Sequence, residues 1–297
     1  MAFDSHGAVR PFRSVLYIPA SKPRALDKAR ALPTDAIIFD LEDAVAIDEK
    51  DNARALLVQT LAEGGYGPRA KILRLNGMDT EWGADDLAAT METAPDAVLL
   101  PKVETRAQVA EVAATLDAHP KCAGTAIWAM METPLGILNA LEIAQAPRMA
   151  GFVMGTNDLA KDLCTRFRAD RLPLQQALQT CLLAARAAGI VCIDGVYNAF
   201  KDEAGLRAEC EQGRDLGMDG KTLIHPAQLA VANEVYAPTD DEIATARRQI
   251  EAFEEAEARG EGVAVVDGKI VENLHVATAR ATLAKAAAIA TLEAEAA

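Results

Sequence analysis

No two of the five cysteines stand in a C-x-x-C spacing, and the count is odd in a chain of 297 residues. That usage excludes a disulfide framework and a cysteine zinc site, and it points to a reducing compartment. The opening MAFDSHGAVRPFRS has no apolar core, so no signal peptide is expected. No apolar run approaches the roughly 18 residues of a membrane span. The chain therefore reads as cytoplasmic, with no membrane partner. Positive charge is also scarce: 30 Lys and Arg face 44 Asp and Glu, a formal net charge of −14. Such a chain has no electrostatic reason to bind nucleic acid. Aromatic residues make up only 4%, so the core must be built of Ala, Leu, Ile and Val. No dinucleotide fingerprint, phosphate loop, G-x-S-x-G elbow or H-E-x-x-H helix occurs.

What is present is a regular alternation. Eight short apolar, β-branched runs recur: SVLYIPA (14–20), AIIFDLED (36–43), KILRLNG (71–77), AVLLPKV (97–103), TAIWAMMETP (125–134), GFVMGTND (151–158), IVCIDGV (190–196) and KTLIHP (221–226). Helix-like stretches separate them. Near-continuous apolar strands alternating with helices indicate parallel βα units buried on both faces. Eight units are the count of a (β/α)8 TIM barrel. A doubly wound sheet is the alternative, but its glycine-rich first turn is missing.

After His225-Pro226 the pattern changes. A long amphipathic helix, two short strands about Asp267-Gly268 and an Ala-rich helix follow. Residues 1–229 are expected to form the barrel, and 230–297 a helix–hairpin–helix appendage.

In a TIM barrel the active site lies at the C-terminal ends of the strands. Glu132 follows the apolar AIWAMM, and Asp158 ends the next strand segment. A buried carboxylate needs a partner. Two such carboxylates on neighbouring strand ends suit a hard cation, Mg²⁺ or Mn²⁺ in its place, with water and substrate oxygens completing the shell. They could equally be salt-bridged structural acids of the barrel mouth. Arg74 in ILRLN could grip a carboxylate or an oxyanion, or pair with Asp40 or Glu42 on the next strand. Asp40, Glu42 and Lys102 could support the site from behind. His225 could offer its ring or backbone to a ligand, or be an ordinary structural histidine.

With these residues in place, SVLYIPASKPRALDKA, FDLEDAV, ILRLNG, LLPKVE, METPLGI, GTNDLAKD and DGKTLIHPAQ resemble the citrate lyase β-subunit-like and malyl-CoA lyase–thioesterase enzymes of the HpcH/HpaI aldolase superfamily. The resemblance runs from about residue 13 to 280. It implies a TIM barrel whose C-terminal lid covers a neighbouring subunit's site, in a homotrimer or hexamer. It implies that Glu132 and Asp158 bind Mg²⁺ and that Arg74 binds substrate. Tyr17, Lys22 and Lys28 match positions that contact coenzyme A, and Asn157 and the backbone at Ile224 and His225 join the substrate side. The family's lid aspartate, a general acid/base, is matched here by Glu272. The leading expectation is Mg²⁺-dependent cleavage of a β-hydroxyacyl-CoA to a 2-oxo acid and an acyl-CoA. The alternatives are hydrolysis of (3S)-malyl-CoA to malate and CoA, and the β subunit of a citrate lyase complex.

Overall fold

The computed structural model describes residues 10–296. Eight parallel strands close into a barrel in the order β1 to β8. They are β1 (Ser14–Pro19), β2 (Ala36–Asp40), β3 (Ala70–Arg74), β4 (Ala97–Leu100), β5 (Ala126–Met131), β6 (Met149–Met154), β7 (Val191–Asp194) and β8 (Gly220–Leu223). The helices between them are α1 (Pro23–Ala29), α2 (Lys50–Glu63), α3 (Gly83–Thr93), α4 (Arg106–Asp117), α5 (Pro134–Leu138), α6 (Ala140–Ala144), α7 (Thr156–Asp162), α8 (Gln175–Ala188), α9 (Glu203–Leu216) and α10 (Leu229–Tyr236). This is the (β/α)8 architecture expected from the alternation.

The strands are apolar throughout because helices cover the outside and side chains fill the inside. Every residue of β2, AIIFD, is buried. Closure depends on residues without side chains. A Cβ on Gly220 would collide with the Phe12 carbonyl where β8 meets the start of β1, and one on Gly151 would meet the Trp128 ring at 2.7 Å. Helix ends carry local stop and start signals. Thr105 and Gln108 form a capping box at α4, and left-handed glycines Gly189 and Gly217 end α8 and α9.

The chain divides into two compact units, 12–236 and 237–295. The boundary differs from the expected 229/230, because α10 packs on α9, β8 and β1. Its Leu229, Val231, Ala232, Val235 and Tyr236 are buried. The Pro226 turn that starts α10 is thus a step inside the barrel unit rather than its end.

The second unit holds α11 (Asp240–Ala258), the antiparallel pair β9 (Ala264–Val266) and β10 (Lys269–Val271), and α12 (Asn273–Ala296). Asp267 and Gly268 both have positive φ, 51° and 75°, as a two-residue hairpin turn requires. Phe253, Ala256, Ala264, Val271 and Val276 form its small core. Among the described residues no helix is long and apolar enough to cross a membrane.

Candidate active site

The strand register decides which polar groups meet at the C-terminal rim. Pairing of β2 with β3 sets Asp40 beside Arg74. The guanidinium grips Asp40 with two hydrogen bonds, Nε to Oδ1 at 2.7 Å and Nη2 to Oδ2 at 2.6 Å. Its Nη1 lies 2.9 Å from Glu42 Oε2 and 3.5 Å from Asp43 Oδ2. The Tyr17 ring lies 4.9 Å from the guanidinium carbon, a cation–π distance. Arg74 therefore makes the ion pairs weighed for it from the sequence, with both Asp40 and Glu42. Nη2 carries a second hydrogen, so one donor remains for a ligand. Burial pushes the Tyr17 phenol well above its usual range and keeps it neutral. Burial likewise pushes Glu42 up to about 7, against the pull of Arg74 and with the push of Asp43.

Across the rim, pairing of β5 with β6 sets Met131 beside Met154, so Glu132 meets Gly155. A side chain at 155 would collide with Glu132; only glycine lets this carboxylate stand there. Glu132 is 3% exposed. One of its oxygens accepts the Lys102 backbone N–H at 2.7 Å. Lys102 is left-handed at φ 49°, an uncommon conformation for a residue with a side chain. Among the described residues, the other Glu132 oxygen and the Asp158 carboxylate receive no hydrogen bond from protein. Burial, opposed by the Lys102 N–H and reinforced by Asp158 and Glu42, pushes Glu132 up to about 7. The site is short of positive charge. The Lys102 ammonium offsets part of this: burial disfavours its charge, but Glu42, Glu132, Asp158 and Asp43 together hold its pKa above the ordinary value. Its support for the rim thus comes from its backbone N–H and from an exposed charge.

Tyr17, Asp40, Arg74, Glu132, Asn157, Asp158 and Ile224 line one cavity of 310 Å³. Val196 and Asn198, from the segment after β7, line it too. Their position just past a strand end was the signal that could have marked them. Asn198 and Asn157 exchange amide hydrogen bonds at 2.8 and 3.3 Å. A larger cavity of 810 Å³ shares Asp43 with this one and has Glu42 and Lys102 in its wall.

The other sequence candidates lie outside the 310 Å³ cavity. Lys22 and Lys28 are exposed on α1 and its N-terminus. His225 is exposed, stacks on Phe200 at 4.5 Å and caps the following turn by accepting the Ala227 N–H at 3.1 Å. The N–H groups of Ile224 and His225 both donate to Gln228 Oε1, at 3.0 and 3.2 Å. Only their carbonyls and side chains remain for a ligand. Glu272 is in the second unit, just before α12, where its N–H donates to His275 Nδ1 at 3.0 Å.

Glu132 and Asp158 fit a hard divalent cation. They are two carboxylates at one cavity, one deeply buried, with oxygens that no protein donor serves. No cluster of three or more His, Cys, Asp or Glu arranged for a metal occurs among the described residues. The remaining positions around a cation held by these two acids would fall to water and ligand oxygens.

A barrel with this rim has clear kin. Residues 13–226 match the model of the HpcH/HpaI aldolase/citrate lyase family, and the chain belongs to it. Within that family it is 64% identical to a (3S)-malyl-CoA thioesterase of Cereibacter sphaeroides, over 98% of both chains. It is 38% identical to the citrate lyase subunit beta of Escherichia coli, over 93% of this chain and 94% of that one. Its fold superposes on CitE from Mycobacterium tuberculosis, in complex with magnesium, acetoacetate and coenzyme A. The TM-score is 0.76 at 32% identity, covering 94% of this chain and 99% of that one.

Proposed function

We propose that the protein is a Mg²⁺-dependent thioesterase acting on (3S)-malyl-CoA or a close β-hydroxyacyl-CoA. The observation that carries the reading is the pair Glu132 and Asp158, set at one cavity with no cation among the described residues bonded to either. Hydrolysis takes the lead over the carbon–carbon cleavage expected from the motifs. Thioesterase relatives stand at 63–64% identity, lyase subunits at 36–38%. The lyase reading keeps support from those lyase relatives.

Glu132 and Asp158 would hold the magnesium ion, which supplies a Lewis acid for a substrate oxygen when bound. Arg74 supplies a donor and its positive charge for the acyl group's carboxylate or for negative charge developing on the thioester oxygen. Asp40 and Glu42 fix its orientation before substrate arrives, so little reorganisation is needed during reaction. In hydrolysis, the oxygen of water bonds to the thioester carbon and the carbon–sulfur bond breaks. The water's proton passes to a base, and the CoA thiolate takes up a proton on leaving. Glu272, supplied by the lid of a neighbouring subunit in a trimer or hexamer, is our candidate for that base. Lys22, Lys28, Tyr17 and the Ile224 and His225 carbonyls are the candidates for contact with coenzyme A.

The test is an incubation of the purified protein with (3S)-malyl-CoA and Mg²⁺, following free thiol and glyoxylate separately. Free CoA with malate is the expected result. Glyoxylate with acetyl-CoA and no free thiol would overturn hydrolysis in favour of the lyase. Neither product, with Mg²⁺ still bound, would overturn malyl-CoA as substrate.

A further inference from the structure

Lys50 opens α2, yet its side chain is buried at 7% exposure. Its ammonium donates to three neutral oxygens: the Leu41 carbonyl at 3.0 Å, the Glu42 carbonyl at 2.8 Å and Asn76 Oδ1 at 2.6 Å. The Trp82 ring centroid is 5.3 Å away. Among the described residues no carboxylate pairs with it. Desolvation of a buried cation without a counter-ion is costly, and three charge-assisted hydrogen bonds offset that cost here. The two carbonyls flank Glu42 in the backbone, so the ammonium holds the turn on both sides of that residue. The third acceptor is itself fixed. Asn76 Nδ2 donates to the same Leu41 carbonyl at 2.9 Å and to Asp86 Oδ2 at 2.6 Å, and Asp86 Oδ1 accepts Arg54 Nε at 2.8 Å.

We propose that Lys50 is a positioning residue for the active site: by clamping the Leu41–Glu42 backbone it sets the Glu42 carboxylate against Arg74. Asp40 is held by β2 and its pairing with β3. Glu42 lies past the strand end, where its N–H donates to Asp40 Oδ1 at 2.9 Å, the Asp43 N–H donates to its Oε2 at 3.1 Å, and Lys50 holds the carbonyls on either side of it. Loss of the clamp loosens the turn that carries Glu42, and one of the anchors that hold the Arg74 fork becomes less firmly placed. Binding of an acyl carboxylate then weakens while the fold survives on its other contacts.

The test is a double-mutant cycle of Lys50→Met with Glu42→Gln, read in two ways. The first is the kinetics of thiol release from (3S)-malyl-CoA, the arm that rests on the thioesterase reading. The second is calorimetric binding of (S)-malate with magnesium, which needs no turnover. Lys50→Met alone is expected to raise KM about tenfold with kcat changed less than about threefold, and to weaken malate binding by the same factor. In the Glu42→Gln background its further effect falls below about twofold, because contacting residues that act through one another are not additive. Equal effects in both backgrounds would overturn the proposal. So would unchanged KM and malate affinity with only a lowered Tm, the mark of a purely structural lysine. Should Lys50→Met fail to fold, Lys50→Arg carries the same cycle, since a planar guanidinium cannot meet three acceptors converging on one point. A wild-type protein that binds malate but releases no thiol would overturn the thioesterase reading and leave the calorimetric cycle to decide the role of Lys50. Absence of both activities would overturn both.

Discussion

Two ends of the same barrel rim hold a buried carboxylate, and they treat it in opposite ways. At β7–β8 Asp194 is fully buried. Arg171 Nη1 donates to both its oxygens at 2.7 and 2.8 Å, Lys221 Nζ stands at 3.2 Å and the Gly195 N–H at 2.8 Å. Burial works against its charge, but Lys221 and Arg171 outweigh it and lower the pKa. At β5–β6 Glu132 has one backbone N–H and, among the described residues, no bonded cation, and its pKa is driven up to about 7. The first arrangement is complete; it leaves no valence for a ligand and serves the fold. The second is incomplete, and it opens on a cavity. The balance of charge around each acid, rather than its burial or its place at a strand end, separates the structural carboxylate from the one we propose as functional.

The comparison breaks first at the two acids proposed to hold the cation. Glu132→Ala or Asp158→Ala is expected to lower kcat/KM by about 10³-fold and to abolish the response to magnesium, with the far-ultraviolet circular dichroism unchanged. Retained turnover in either variant would show that the β5–β6 pair is also structural.

The structural acid should fail in the other currency. Asp194→Asn leaves Arg171 and Lys221 short of a buried counter-charge, with Glu209 as their remaining acidic partner. A loss of roughly 3–5 kcal/mol in unfolding free energy is expected, measured by urea titration. The kcat of the molecules that remain folded should change little.

Much of this was legible in the sequence and some was not. Each of the eight apolar runs contains a barrel strand or overlaps one to within two residues, because a strand buried on both faces must be apolar along its length. Asp40, Arg74, Glu132, Asn157 and Asp158 could be picked out because a polar residue ending such a run has few reasons to be there. The partners could not. Arg171 reaches Asp194 from a short turn 23 residues earlier, and Lys50 reaches Asn76 from 26 residues away. No periodicity links such positions; only the closed barrel does. The same gap left Arg74 with two open readings, and the register of β2 and β3 gave it the ion pairs. The unit boundary was misplaced for a related reason: α10 looks like an appendage after Pro226 until its buried face is seen on α9.

The third way to sharpen the contrast is pH. Glu132 holds its proton up to about 7 in the folded metal-free chain, against an ordinary 4.5. The folded state then binds more protons than the unfolded state between these values, so stability falls as pH rises through that window and levels off above it. Glu132→Gln removes this group's share of the dependence, leaving that of Glu42, and should stabilise the metal-free protein at pH 8 by up to roughly 3 kcal/mol. Asp194, with its lowered pKa, contributes in the opposite sense, through stability lost only as pH falls into the acid range. Urea unfolding of wild type and Glu132→Gln in the presence of a chelator, from pH 5 to pH 8, checks the sign. A wild-type curve that rises across this range, with no relative gain for the variant, would contradict the assignment.

The smallest effect is expected at the exposed cations. Lys22→Ala and Lys28→Ala should each raise KM for an acyl-CoA by about threefold at low salt. The effect should fade at higher ionic strength, as expected of screened surface charges.

The central claim is that the incomplete acid pair is a divalent-cation site and the complete one is not. Electron paramagnetic resonance titration with Mn²⁺ tests it directly. One ion bound per chain is predicted for the wild type and for Asp194→Asn, displaceable by Mg²⁺ and lost in Glu132→Gln and Asp158→Asn. Binding that survives in those two variants, or that is lost on changing Asp194 while the protein remains folded, would contradict the account.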